Sequence, residues 1–585
     1  MFKQCAKFRN RAIVLAVAGA LGVSGAALAI APVGAGVVRT APVRANAPTA
    51  TAQFSALAKA TTLRRGDVVK SAVALGKPVH VTVALKLRDD AGMKAFLSQP
   101  SHGVMSQAQL QSHLPTQAQA QAVANYLKAA GFSNIKISAN RMLVNATGTA
   151  AAVQTGFKTP LVNVHTKDGR NAFANSAAIQ IPASLRGSVQ AVLGLQTVYK
   201  AHTMAQTNAR AGIGGHYPQE FGDIYGASAL PAATDVDVAV WGWGSMEQTV
   251  TDLSDFTTSS GISAGTVNVV CTDTAGIDWN TGAGLGGVSI GDSTCNGNVD
   301  QGSTEWDMDS QSILGMTGGV KSMTFYAAYG AYSDALVDSL SEIVTPTVGE
   351  SLPQVINASY GGCERAADAN QGGDGMMQAM DALFQIGVAQ GQTFSVSTGD
   401  HGSDECGDGG LNSASYPSSS PWVVSVSGTT LRASDTTWAR ENVWLGAGGS
   451  PSSGEVAQPW QTALTYGDFA GQRGPDVAFD ANPSSGGIIW IQGGYQQWGG
   501  TSLAAPIFAG AWARILESNP ALGFAAPSLY TLPAAALHDV RSGNNGGYVA
   551  KPGWDWATGL GSFDVGRAAA LLAPSQPAGR RAASR

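Results

Sequence analysis

The sequence predicts an α/β fold, a parallel sheet flanked by helices, preceded by a smaller α+β domain. Three observations carry that expectation. Beyond His216, continuous apolar runs at 236–241, 267–270, 322–328, 354–359, 393–397 and 422–426 alternate with stretches of helical length. Runs without polar alternation, spaced by helices, mark strands covered on both faces, which is the condition of a parallel sheet. Next, 585 residues exceed one ordinary domain, and an apolar fraction of 44% excludes a chain disordered throughout. Finally, the net charge of -5 conceals a division. Residues 1–215 carry 23 Lys and Arg against 4 Asp and Glu, a net +19, whereas 216–585 carry 12 against 36, a net -24. Two oppositely charged parts suit binding to each other. The acidic part repels phosphate, so nucleic acid is not an expected partner.

The N-terminus begins with four positive charges (Lys3, Lys7, Arg9, Arg11) and no acid, followed by an apolar run over 12–28 that ends in Ala27-Leu28-Ala29. That is the pattern of a secretory signal peptide over 1–29, cleaved after Ala29. The competing reading is a membrane anchor, but the run is short for a span and rich in Ala and Gly. The expected product is secreted, without stable membrane insertion. Cys5 leaves with the signal, and an even count of four in an exported chain favours two disulfides. Pairing of sequence neighbours gives Cys271–Cys295 and Cys363–Cys406, one of three connectivities that stay open. No Cys-x-x-Cys or nearby His completes a zinc set.

Residues 30–200 hold the first domain, whose compact part begins near 65. Residues 79–87 alternate as a strand. Residues 117–130 form a helix with Ala120, Val123, Tyr126 and Leu127 on one face, closed by Gly131. Residues 141–145 make another strand, and Thr149 caps a short helix running to Gly156. Residues 201–215 lack firm periodicity and have the composition of a cleavable linker. The second domain spans 216–573, and 574–585 reads as a frayed tail. There is no internal repeat or coiled coil.

Three segments carry chemistry. In Gly499-Gly500-Thr501-Ser502-Leu503-Ala504-Ala505-Pro506, the glycines and small apolar residues place Ser502 at a helix N-terminus, where free N–H groups favour a developing negative charge. A plain helix cap is the alternative use of such a Ser. In Glu305-Trp306-Asp307-Met308-Asp309, Glu305 and Asp309 are four apart on one helix face. Like charges there cost stability unless they share a proton, although an acidic helix start in solvent has the same spacing. In Ser397-Thr398-Gly399-Asp400-His401-Gly402, Asp400 and His401 both sit at the end of an apolar strand, and a histidine base at His401 would give an ordinary Ser-His-Asp triad.

Together these segments resemble the sedolisin family of serine-carboxyl peptidases, which have a subtilisin-like fold. The Glu305-x-x-x-Asp309 helix start, the strand-end Gly399-Asp400 and Gly500-Thr501-Ser502 occur in family order over most of 216–565. Residues 65–200 resemble the pro-kumamolisin activation domain through position and the Ser101-His102-Gly103 and Leu114-Pro115-Thr116 pattern. The resemblance implies Ser502 as nucleophile, Glu305 as general base, Asp309 as its orienting partner and Asp400, protonated, as oxyanion donor. His401 is then a loop residue. A neutral Asp400 and a proton shared between Glu305 and Asp309 imply an acidic optimum, roughly pH 3–5 from reference carboxyl values. The stretch 538–561 resembles the family's Ca²⁺ site, with Asp539 and Asp555 as carboxylate ligands and Val540, Lys551 and Gly553 as carbonyl ligands. Lys551 departs from the family's usual Gly, and two turn-forming Asp residues are the plainer reading. Cys363 and Cys406 flank Asp400 where some members carry a disulfide, a brace for the cleft. The residues 359–362 either offer an extended backbone edge for peptide binding or form a turn that ends a strand.

The implied protein is a self-processing zymogen and a monomer. Its partners are protein or peptide substrates and its own prodomain, acting as an intramolecular inhibitor. Its alternatives are a subtilisin-type protease using His401, active at neutral to alkaline pH, and a non-enzymatic exported binding protein.

Overall fold

The computed structural model describes residues 53–573, apart from 100–102, 208–213, 274–286, 291–292, 296–299, 347–350 and 465–469. The expected signal peptide, the first part of the prodomain and the C-terminal tail lie outside the described residues.

The N-terminal domain is α+β. Its central strand, Pro78–Leu85, is buried at every position but the first. It lies in a four-stranded antiparallel sheet in the order Ser133–Ile137, Leu143–Thr149, Pro78–Leu85, Val189–Leu193. The Leu143–Thr149 strand starts later than 141–145 because Arg141 turns the chain with φ +63°. The helix Gln117–Ala129 opens with a capping box in which Thr116 and Gln119 satisfy each other's backbone N–H groups. Its Ala120, Val123 and Leu127 meet Val79, Val81 and Val83 of the sheet in one apolar core. Thr149 accepts from Ala152 N at the start of the helix Ala150–Phe157, the cap expected from the sequence.

All six apolar runs of the second domain enter one nine-stranded sheet. Its order is Gly287–Ile290, Thr266–Asp273, Val320–Ala328, Ala233–Trp243, Val355–Ala358, Thr393–Ser397, Val424–Ser434, Thr437–Val443, with Val477–Asp480 also beside Val424–Ser434. Pairing is parallel except for Thr266–Asp273 with Gly287–Ile290 and Val424–Ser434 with Thr437–Val443. The run expected at 422–426 extends beyond the sheet's parallel part into that last hairpin. Two helices, Ser303–Thr317 and Thr501–Ser518, are buried nearly end to end. Their backbones touch closely: a Cβ added at Gly510 would lie 2.6 Å from Met316 Cβ. This contact sets the N-terminal turns of both helices at the carboxyl ends of the central strands, where open α/β sheets place their sites.

The two domains dock through polar contacts as well as apolar ones. His80 Nδ1 lies 3.1 Å from Asp334 Oδ2, Asn145 Nδ2 donates to Asp338 Oδ1 (2.6 Å), and Gln196 Nε2 donates to Asp374 Oδ2 (2.8 Å). The disulfides are Cys271–Cys295 and Cys363–Cys406, which settles the connectivity.

Candidate active site

Ser502 occupies the second position of its helix, after Gly500 as N-cap. Gly500 takes φ +106°, and a Cβ there would run into the Met204 carbonyl oxygen, so only glycine fits. Ser502 is no helix cap. Its Oγ faces the Ser359 carbonyl at 3.4 Å. Pro506, four residues on, lacks the N–H that would bond the Ser502 carbonyl, which instead faces the Ser359 hydroxyl oxygen at 3.3 Å. The Pro in the signature thus leaves a helix carbonyl turned toward the neighbouring strand end.

Glu305 and Asp309 are 2% and 0% exposed, which removes the reading of a solvated helix start. Asp309 Oδ1 accepts from the Ser359 hydroxyl (2.6 Å), which in turn accepts from Asn357 Nδ2 (2.9 Å). Neither Glu305 oxygen receives a hydrogen bond of good geometry. The Ser502 hydroxyl and the Ala205 backbone N–H nevertheless lie near enough to favour its charged form. Burial, followed by the Asp309 charge, pushes the Glu305 carboxyl well above its ordinary range, and burial does the same to Asp309. Two buried carboxyls raised together favour sharing a proton over ionising both.

Asp400 follows the strand Thr393–Ser397 and hangs from the start of the serine helix. Its Oδ1 accepts from Thr501 N (2.8 Å) and Thr501 Oγ1 (2.9 Å), while Oδ2 is left without a partner. Burial raises its carboxyl to about 8, so below that pH Oδ2–H can donate. All four expected residues converge at one end of the sheet.

His401 turns away from them. Its side chain is 61% exposed and its Nδ1 lies 3.3 Å from Glu405 Oε2, so no Ser-His-Asp triad forms. Glu405 is shared with His202, whose Nε2 stands 3.0 Å from Oε1. His202, His401 and Glu405 present ligand atoms within 4.8 Å of one another and could hold a metal ion. Sequence reasoning missed this group because His202 comes from the linker.

The described start of the linker has a definite place. Residues 201–207 do not run slack but lie in the cleft as two short strands. His202–Thr203 pairs antiparallel with Tyr360 and Gly361, and Gln206–Thr207 with Gly499 and Trp498. The edge expected at 359–362 does receive an extended peptide.

At the C-terminal loop, Asp539 and Asp555 close on one turn from two sides. Gly553 N–H donates to both Asp539 oxygens (3.1 and 3.0 Å), and Lys551 N–H donates to Asp555 Oδ2 (2.9 Å). Arg541 lies on Asp539 (2.7 Å), a positive charge beside the carboxylate. Asp555 Oδ1 also accepts from Ala557 N and Thr558 N, so both carboxylates are held by N–H donors here and a hard cation would have to compete with them.

Residues 66–198 match the model of the pro-kumamolisin activation domain, and 295–552 match that of the subtilase family. Xanthomonalisin from Xanthomonas sp. (strain T-22) is 39% identical, covering 84% of this chain and 65% of its own length. Sedolisin from Pseudomonas sp. (strain 101) is 38% identical over 86% of this chain and 88% of its own length. The chain belongs to the sedolisin family. A solved structure of Pseudomonas sedolisin, a serine-carboxyl proteinase complexed with pseudo-iodotyrostatin, superposes with a TM-score of 0.53 at 38% identity, covering 61% of this chain and 98% of that one. The sedolisin-type domain follows an activation domain here, and the chain is a serine-carboxyl peptidase with prodomain activation.

Proposed function

We propose that this sedolisin-family peptidase is an exported, acid-active endopeptidase in which Ser502 attacks the substrate carbonyl. Glu305 accepts the serine proton and returns it to the leaving amine. Asp309, held by Ser359, shares a proton with Glu305 and orients it. Neutral Asp400, anchored by Thr501, donates to the oxyanion from Oδ2. The observation that carries this reading is the buried Glu305–Asp309 pair beside Ser502, with Glu305 lacking a well-formed donor. A structural carboxylate would be satisfied, whereas a proton acceptor must be left room for its proton.

The rate then has two limbs. It falls at high pH as Asp400 and the shared proton ionise, and at low pH as the pair takes a second proton. The prodomain and the seated segment 201–207 hold the cleft closed, and removal within 201–215 opens it. Asp539 and Asp555, with the Val540, Lys551 and Gly553 carbonyls, would hold one Ca²⁺ that cross-links the C-terminal loop.

The test is cleavage of a denatured protein substrate from pH 2 to 9 by the acid-incubated wild type and by Ser502→Ala. An acidic optimum that Ser502→Ala abolishes supports the reading. An alkaline optimum returns the base to His401, and equal cleavage by Ser502→Ala removes Ser502 from the chemistry.

A further inference from the structure

We propose that the first bond this zymogen cuts is Met204–Ala205, and that the cleft selects a long apolar side chain on the carbonyl side of the cut. The proposal rests on the reading of Ser502 as nucleophile.

Register locates the bond. Upstream, His202 faces Gly361 and Thr203 faces Tyr360, so the next residue, Met204, comes level with Ser359. Downstream, Gln206 faces Gly499 and Thr207 faces Trp498, so Ala205 comes level with Gly500. Ser359 is the residue whose carbonyl faces Ser502 Oγ, and Gly500 immediately precedes the serine helix. The peptide passes from one edge of the cleft to the other across a single bond, and that bond lies over the serine.

The atoms around the bond have the polarity that acyl transfer needs. A Cβ placed at Gly500 would strike both the Met204 carbonyl oxygen and Asp400 Oδ2, so these two oxygens crowd the same point. Asp400 Oδ2 has no other partner. On the other side of the bond, the Ala205 N–H lies beside the Glu305 carboxyl. The carbonyl thus meets the acid and the future amine meets the base. The Met204 side chain is 1% exposed, and its terminal methyl reaches Gly361, where an added Cβ would come within 3.2 Å of it. A Cβ at 361 would strike the Ser415 hydroxyl and the Tyr416 carbonyl as well, so glycine is needed where strand, loop and methionine meet.

In the reaction, Ser502 Oγ bonds to the Met204 carbonyl carbon and the Met204–Ala205 C–N bond breaks. The serine proton passes through Glu305 to the Ala205 nitrogen. Water then adds to the Met204 ester and releases Ser502. The products are a carboxyl group on Met204 and a free amine on Ala205. Because the bond is already seated, the first cut is intramolecular.

The test takes the full-length zymogen to about pH 4, within the range of carboxyl titration, and sequences the earliest new N-terminus. The expected terminus is Ala205, appearing at a first-order rate unchanged by dilution. Met204→Leu should process within a few-fold of wild type, and Met204→Asp at least about tenfold more slowly. Against misfolding of a variant, matured wild type is given the free peptide of residues 199–208, which it should cut between Met and Ala. An earliest terminus elsewhere, with an enzyme that still cleaves the denatured substrate, overturns the bond assignment and leaves the peptidase reading intact. A concentration-dependent first cut overturns the intramolecular step. Equal rates for Met204→Asp and wild type overturn the selectivity. Unaltered processing in Ser502→Ala, or no cleavage of zymogen or substrate by wild type, overturns the underlying reading instead.

Discussion

Glu305 and Glu364 are both buried glutamates, 2% and 1% exposed, and burial raises the carboxyl of each. Their surroundings differ. Glu364 accepts from the Ser452 hydroxyl, from Ser453 N (3.0 Å) and from Gly454 N (2.9 Å), which pins the 452–454 loop to the short helix Glu364–Ala367. Glu305 has no comparable donor and faces Asp309. A satisfied buried acid is a structural cross-link. An unsatisfied one costs stability, and under the proposed mechanism that cost leaves the base room for its proton.

The sharpest way to break that comparison is to replace each glutamate with glutamine. Glu305→Gln should lower kcat/KM by about 10²–10⁴-fold, the usual contribution of a positioned base. Its denaturant midpoint, measured in a Ser502→Ala background to prevent self-digestion, should not fall. Glu364→Gln should do the reverse, lowering the unfolding free energy by about 1–3 kcal/mol because an amide places a second donor against N–H groups. Its cleavage rate should change little. Matching losses of activity in both variants would dissolve the distinction.

Asp400 sharpens the same comparison, being satisfied on one oxygen and open on the other. Asp400→Ala should cost about 10²–10³-fold in kcat, the size of one lost oxyanion donor. Asp400→Asn keeps an N–H donor whatever the pH, so its loss should be smaller, about tenfold. The sign of the pH effect follows from the carboxyl raised to about 8. The donating form is present below that pH and is lost as pH rises through it. The asparagine variant should therefore extend its alkaline limb upward relative to wild type. An unchanged limb would mean that the Glu305–Asp309 proton alone sets it.

The sheet was legible because its strands are covered on both faces and read as unbroken apolar runs, and Ser502, Glu305 and Asp400 because each stands in a distinctive local string. What escaped reading was long-range. The Ser359 hydroxyl reaches Asp309 from 50 positions away, and nothing near either residue announces it. His202 meets Glu405 only because the linker folds back into the cleft. The composition of 201–215 reads as a cleavable linker without firm periodicity, and its pairing at 202–203 and 206–207 depends on partners that exist only once the sheet has formed. The helix that Thr149 caps, by contrast, was readable because donor and acceptor are three residues apart.

A smaller effect is expected at the C-terminal loop. Chelation with EGTA should lower the unfolding free energy of the Ser502→Ala chain by about 1–3 kcal/mol, as for loss of a ligand present near a hundredfold over its Kd. Asp555→Asn should remove that response. An identical response in the variant would place the ion elsewhere.

The smallest effect concerns the two charged halves. From the sequence, the net +15 of residues 30–215 against -24 suggests an electrostatic clamp that acid releases. The described interface is built differently, with Asn145 and Gln196 amides and His80 on the carboxylates of Asp338, Asp374 and Asp334. Burial raises Asp338 to about 6 and raises Asp374 as well. A carboxyl raised in the docked state costs stability when ionised, and that cost disappears as pH falls through about 6. These two acids therefore oppose release on acidification. Release depends on the remaining long-range attraction and on cutting the linker. Raising salt from 0.05 to 0.5 M at pH 7 should increase hydrogen exchange in Pro78–Leu85 of the Ser502→Ala chain by no more than about tenfold, since only separated charges are screened. A larger increase would restore the clamp as the main source of latency. No change at all would leave the neutral hydrogen bonds and apolar packing to hold the prodomain by themselves.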